Sequence, residues 1–84
     1  MKKEEIISNQ IKKAKNLYKT LEKLQAKWDI LSEFNTFNAK FWRLDKKITN
    51  LWKEVNKLAF NNYPIRSMDD LLGYIEFHEL QLNQ

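Results

Sequence analysis

Apolar residues recur at alternating intervals of three and four positions through most of the chain, a spacing that aligns them on one face of an α-helix. The first series predicts a helix over about residues 4–33, and the second predicts a helix over about residues 38–60. Series with this heptad spacing pack helix against helix. The first comprises Ala14, Leu17, Leu21, Leu24, Trp28 and Leu31, and the second comprises Phe41, Leu44, Ile48, Leu51, Val55 and Leu58.

The two series are out of phase by one residue between Leu31 and Phe41. A helix break within Glu33–Asn38 is the simplest explanation, because Asn and Thr compete with helical hydrogen bonds and cap helix starts. We therefore favour a long antiparallel helical hairpin over one continuous helix with a local stammer. The absence of glycine from this corner argues for the continuous helix.

A shorter third helix is predicted over about residues 68–82. Pro64 ends the second helix, because the residue before a proline is pushed out of the helical region. Ser67 and Asp70 match a helix-start pattern, and Gly73 is the only interruption, costing about 1 kcal/mol relative to alanine. The predicted apolar face comprises Met68, Leu71, Leu72, Ile75 and Leu82. The fold class is therefore all-α, a three-helix bundle in a single domain over residues 1–84.

The first predicted helix is longer than the second, so its beginning has no partner from that helix. Ile6, Ile7 and Ile11 lie on or near this overhang, and leaving them in water would be costly. We expect the connection Tyr63–Ile65 to fold over them. A homodimer, in which another chain covers them, is the alternative.

Composition sets the class of protein. The chain has 84 residues, 43% of them hydrophobic and 13% aromatic, with no cysteine. This excludes a disulfide framework, a thiolate nucleophile and a cysteine zinc site. No apolar stretch approaches the roughly 18 residues of a membrane span, and no signal-peptide core is visible, so we expect a cytoplasmic protein. The excess of Lys over Arg favours an AT-rich gene from a bacterium, phage or plasmid.

Charge is divided unevenly along the chain. Residues 1–62 hold fourteen Lys or Arg and seven Asp or Glu, net +7, and residues 63–84 hold one Arg and four acids, net −3, which together give +4. A stripe of lysines opposite the leucine series could bind nucleic acid through phosphates. Interspersed acids favour an ordinary solvated face instead. The stripe comprises Lys12, Lys15, Lys19, Lys23 and Lys27.

Aromatic residues that lie away from the main apolar faces of the helices are a more unusual feature than the lysine stripe. An exposed aromatic patch commonly marks a surface that binds a protein partner. The candidate contact residues are Trp42, Phe60, Tyr63, Tyr74 and Phe77. The leading hypothesis is a small interaction or regulatory module that binds a protein partner or a second copy of itself, and the alternative is the basic nucleic-acid-binding protein. Membrane-surface association is weaker, because neither long helix shows aromatics bordering its lysines.

Catalysis receives little support. His78 is the only histidine, and it lacks a second ligand at metal-binding spacing, so we interpret it as a residue at the edge of an apolar face. Asp69 and Asp70 fit the positive end of a helix dipole better than a cation site. We expect no enzyme activity, no metal, no cofactor and no small-molecule substrate.

Overall fold

The computed structural model of the protein describes residues 3–58 and 64–83. This part is all helical and comprises α1 (Lys3–Glu33), α2 (Ala39–Val55) and α3 (Met68–Leu82). Helix α1 contacts both α2 and α3. The molecule measures 47 × 20 × 19 Å, and its long dimension matches a helix of the length of α1 at about 1.5 Å per residue. The predicted all-α class is confirmed, with α1 as the element on which the other two helices pack.

The predicted break between the first two helices is present. Helix α1 ends at Glu33, and Asn35 follows in the left-handed region with φ of 54°. Its N–H donates to the Ser32 carbonyl at 3.1 Å, and the Thr36 N–H donates to the Leu31 carbonyl at 2.8 Å. This is the Schellman pattern of a helix end, in which glycine is the usual left-handed residue. Here asparagine takes that place, so the corner forms without glycine.

Side-chain caps fix the starts of α2 and α3. The Asn38 Oδ1 accepts a hydrogen bond from the Phe41 N–H at 3.1 Å, and the Ser67 hydroxyl accepts one from the Asp70 N–H at 3.1 Å. Each cap satisfies a backbone donor that has no partner within the helix. The Asp70 carboxylate also accepts from the Arg66 N–H, so it holds the chain on both sides of the cap. The helix start predicted at Ser67 is therefore the one observed.

Helix α2 ends at Val55, five residues before the predicted end at Phe60. The side-chain amide of Asn56 explains the early stop. Its Nδ2 donates to the carbonyls of Trp52 and Ile65, and its Oδ1 accepts from the Ile65 N–H. The chain therefore turns at Asn56 toward Ile65. Phe60 itself lies outside the described residues.

One apolar core joins α1, the turn after α2, and α3. Ala14 and Leu21 of α1 are fully enclosed, and Ile7 and Ile11 are buried in the same cluster as Ile65. Ile7 and Ile11 at the start of α1 are therefore covered by their own chain. Of the connection expected to do this, Ile65 takes part and Tyr63 lies outside the described residues. The cluster's members from α3 are Leu71, Tyr74 and Ile75, with Met68 and Leu82 at its edge.

The buried face of α3 is rotated relative to the predicted one. Tyr74 and His78 are buried, whereas Leu72, which was expected in the core, is exposed. At 100° per residue, Tyr74, His78 and Leu71 share one stripe, and Leu72 lies on its far side. The amphipathic rings of Tyr and His can bury against α1, which a count of aliphatic positions alone does not register. The prediction that Tyr74 is a surface contact residue was wrong for this reason.

Candidate functional site

The five aromatic residues predicted to form one binding surface do not do so. Trp42 and Phe77 are each more than half exposed, but they lie on different helices, α2 and α3. Tyr74 is buried in the core. Phe60 and Tyr63 lie outside the described residues. Trp42 and Phe77 therefore belong to two separate surfaces.

The first surface, here called the aromatic end, lies where α1 passes into α2. It spans the last turn of α1, the connection and the first turn of α2. Four large apolar side chains on it are each more than half exposed: Ile30 (55%), Phe34 (73%), Phe37 (51%) and Trp42 (57%). Scattered single apolar residues are ordinary on a protein surface, whereas a group of this size at one end is the kind that marks an interaction site.

The aromatic end is built on a buried ring. Phe41 is almost fully enclosed, and Phe37 and Trp42 meet it edge to face at centroid distances of 5.0 and 5.1 Å. Trp28 of α1 lies 5.5 Å from the same ring, and its Nε1–H donates to the Asp45 carboxylate at 3.1 Å. Edge-to-face geometry is the favoured arrangement of aromatic pairs. The exposed rings of Phe37 and Trp42 are thus positioned by packing on Phe41.

Backbone hydrogen bonds hold the connection under the aromatic end at the end of α1 and at the start of α2. The Phe34 N–H donates to the Ile30 carbonyl at 3.1 Å, and the Trp42 N–H donates to the Asn38 carbonyl at 3.2 Å. With the Schellman pattern at Asn35, these bonds tie the backbone on both sides of the corner. Because the backbone is fixed, a partner binding here does not have to order it, which favours affinity.

Sequence reasoning found Trp42 but missed Ile30, Phe34 and Phe37. The available signal was that Phe34 and Phe37 continue the spacing of the second apolar series backward into the predicted break. Apolar residues that fall where two helices separate have no helix to cover them. Such residues are candidates for exposure, and here they are exposed.

The predicted lysine stripe lies on the surface of α1. All five lysines are exposed, and one is engaged: the Lys15 Nζ lies 2.7 Å from a carboxylate oxygen of Glu79 on α3. In the part of the chain that the structure describes, Lys12, Lys19, Lys23 and Lys27 form no ion pair. By helical spacing, Ile30 and Phe34 continue the face that begins with these lysines. Cations and exposed apolar groups therefore adjoin at this end of α1.

The second surface is the outer face of α3, defined by Leu72, Gly73, Phe77 and Leu80. Leu80 is 64% exposed, Phe77 is 55% exposed and Leu72 is 38% exposed. These positions lie opposite the stripe that α3 buries against α1. The exposed carboxylates of Asp69 and Glu76 lie among these apolar side chains.

His78 and Tyr74 are two buried side chains of α3 that carry polar atoms. The His78 ring lies 4.4 Å from the Tyr74 ring and 5.2 Å from the Phe77 ring. Burial raises the pKa of Tyr74, because the phenolate is penalised when it leaves water. Among residues 3–58 and 64–83, no group of three His, Cys, Asp or Glu side chains could hold a metal ion. His78 is thus a core residue rather than one at the edge of the apolar face.

A shallow depression lies between α1 and the end of α3. Ile11 and Leu82 line it together with Lys15 and Glu79, and its volume is about 250 Å³. Lys15 and Glu79 are bound to each other as the ion pair described above, and Lys12 is a third charged side chain in the lining. The depression is therefore of mixed apolar and polar character.

Comparisons with protein-family models, curated proteins and solved structures found no match for this chain. Within the described ranges, no helix combines the length and apolar character that a membrane crossing requires.

Proposed function

We propose that this protein is a small non-enzymatic helical interaction module that binds a protein partner through the aromatic end. The observation that supports the proposal is the exposure of Ile30, Phe34, Phe37 and Trp42 around a connection whose backbone is hydrogen-bonded on the side of α1 and on the side of α2. Exposing such side chains stabilises nothing in the isolated chain. Burying a fully exposed side chain of this kind is worth about 1.5–3 kcal/mol, so covering the exposed part of each contributes a share of that, and aromatic anchors dominate protein interfaces.

Charge around the aromatic end indicates the chemistry of the partner. Exposed cations flank it at Lys27, Lys40, Arg43 and Lys46. The nearby acids are fewer: Asp29 and Glu33 are exposed, and Asp45 is bonded to the indole of Trp28. Complementary charge steers association and suppresses wrong partners. The partner that fits is a protein with an apolar pocket bordered by carboxylates.

The contacts of Trp28 support the finer architecture that we propose, an antiparallel pair of α1 and α2 with coiled-coil-like packing. This residue lies late in α1, and it meets Phe41 and Asp45, which lie early in α2. Self-association draws no support from the start of α1, because Ile7 and Ile11 are buried within the chain. A second copy remains a proposed partner only at exposed surfaces.

Site-specific crosslinking in the cells that encode the protein tests this function. A photoreactive phenylalanine analogue replaces Phe34, and in a matched control it replaces Asn50, an exposed position in the middle of α2. We expect one protein to be crosslinked at position 34 and not at position 50. The purified protein identified in this way should then bind the wild type about tenfold or more tightly than the Phe34→Ser/Trp42→Ala variant.

Two results would contradict the proposal. Equal crosslinking from both positions would mean that the aromatic end is not the contact surface. Cosedimentation with phosphatidylglycerol vesicles that is lost in Phe34→Ser/Trp42→Ala would assign this surface to a lipid interface, which also uses aromatics beside cations.

A second candidate function, nucleic-acid binding, is favoured by the exposure of four stripe lysines that form no ion pair with the described residues. We expect Lys15 to contribute less to phosphate binding than the other four lysines, because it forms an ion pair with Glu79. Labelled duplex and single-stranded DNA, titrated at low and near-physiological salt, test it. A slope corresponding to about four released counterions, reduced in Lys19→Gln/Lys23→Gln, would promote the stripe to the functional surface. Absence of binding at low salt would exclude nucleic-acid binding as the function of this stripe.

A further inference from the structure

We propose that the outer face of α3 is a second docking surface, and that it binds a cationic amphipathic helix of another protein with closest approach at Gly73. This proposal is independent of the aromatic end. Its starting point is that Leu72, Phe77 and Leu80 project from the side of α3 that does not contact α1. An amphipathic helix commonly docks by laying its own apolar stripe on such a face.

Gly73 lies at the centre of this face, and the part of the chain that the structure describes does not explain why glycine is needed there. It lies in the interior of α3, where glycine is destabilising relative to alanine. Its φ is not positive, and a Cβ built on it meets no atom within 4 Å. Neither backbone conformation nor internal packing therefore requires glycine here. Close approach of another backbone does, because a missing side chain lets two helices come together.

Charge selects the kind of helix that fits. Helix α3 carries four acids and no Lys or Arg, and Asp69 and Glu76 lie among the apolar residues of the outer face. Glu79 is engaged with Lys15 of α1. A helix with Lys or Arg beside its apolar stripe would bring cations to the carboxylates at positions 69 and 76.

The same charges argue against a second copy as the occupant. Pairing this face with itself would bring carboxylates together across a helix–helix contact, which is unfavourable. The lysine stripe of α1 has the right charge, but Asn16 and Thr20 lie among its lysines where apolar contacts are needed. The net charge of +4 repels a cationic helix from the molecule as a whole, so binding requires this local site.

Fluorescence anisotropy with a designed probe tests the proposal. The probe is a labelled amphipathic helical peptide with leucines at helical spacing flanked by lysines, and its matched control carries glutamates in place of the lysines. We expect the protein to bind the lysine probe about tenfold or more tightly than the glutamate probe. Phe77→Ala/Leu80→Ala should weaken binding by a similar factor and leave the unfolding midpoint nearly unchanged, because both side chains are exposed.

Gly73→Ala separates close approach from simple hydrophobic contact. It should weaken binding of the lysine probe while raising the midpoint of thermal unfolding, because alanine favours the helix and its Cβ meets nothing in the chain. Phe34→Ser/Trp42→Ala should bind the probe like the wild type, which keeps this test apart from the aromatic end.

Several outcomes would overturn the proposal. One is the absence of binding to the lysine probe at low salt, and another is equal binding of the two probes. Undiminished binding by Phe77→Ala/Leu80→Ala would move the site elsewhere. Undiminished binding by Gly73→Ala would refute the close approach. Concentration-dependent sedimentation of the wild type that disappears in Phe77→Ala/Leu80→Ala would make a second copy the occupant.

Discussion

The side-chain amide of Asn56 pairs with both backbone polar groups of Ile65. Its Nδ2 donates to the Ile65 carbonyl at 3.1 Å, and its Oδ1 accepts from the Ile65 N–H at 3.0 Å. The same Nδ2 donates to the Trp52 carbonyl at 3.0 Å, within the last turn of α2. One side chain thereby ends α2 and holds Ile65 in the core that α1 and α3 share. The position of α3 thus depends on an asparagine at the end of α2.

Replacing Asn56 with alanine should destabilise the protein by about 1–3 kcal/mol. The substitution leaves the partly buried N–H and carbonyl of Ile65 without their partner, which costs more than the loss of an exposed hydrogen bond. Urea unfolding measures the change. Asn50→Ala is the matched control, because Asn50 is exposed within α2 and its side chain forms no hydrogen bond to the residues that the structure describes. Equal effects of the two substitutions would contradict the role of Asn56.

Substitutions at Asn35 should rank by their tolerance of positive φ. Its φ of 54° places it in the left-handed region, where a Cβ is unfavourable and glycine is not penalised. We expect Asn35→Gly to be more stable than Asn35→Ala by about 1 kcal/mol in urea unfolding. Alanine and glycine variants of equal stability would show that the corner does not use this conformation in solution.

Local sequence signals predicted the helix starts and the corner. Ser67 is followed by Asp70 at capping distance, and Asn38 precedes the second apolar series, so the interactions that define both starts lie within four residues of each other. The break near Asn35 was visible because the two apolar series are out of phase. Its glycine-free geometry was not, because asparagine reaches the left-handed region only in a context that stabilises it.

Features that depend on distant residues were not predictable in the same way. The end of α2 is set by a bond from Asn56 to a residue nine positions away, and the sequence around residue 56 alone continues the helical pattern. The burial of Tyr74 and His78 depends on how α3 is rotated against α1. The exposure of Phe34 and Phe37 depends on where the packing of α1 against α2 ends, because apolar residues beyond that point have no helix to cover them. The aromatic end was therefore predicted only at Trp42, and the outer face of α3 only at Phe77.

Leu21 and Leu80 give a matched test of the core and the outer face. Leu21 is fully enclosed, whereas Leu80 is 64% exposed. Leu21→Ala should destabilise the protein by about 2–5 kcal/mol through lost burial and the cavity that remains. Leu80→Ala should change the unfolding free energy by no more than about 0.5 kcal/mol. A large effect of Leu80→Ala would show that α3 packs with its outer face inward.

Burial of Tyr74 should make the protein less stable at alkaline pH. Its pKa in the folded state is raised from the ordinary value of 10.0, because the phenolate is penalised away from water beside the enclosed ring of His78. In the unfolded chain Tyr74 ionises near the ordinary value, so above about pH 10 the unfolded state binds fewer protons than the folded one. The stabilising contribution is therefore complete below about pH 10 and is lost as the pH rises through the folded-state pKa. Unfolding free energies measured across this range should fall less steeply in Tyr74→Phe than in the wild type, since the two proteins differ only in the Tyr74 hydroxyl. Parallel curves for the two proteins would mean that Tyr74 is accessible to water, and would place the face of α3 that contacts α1 elsewhere.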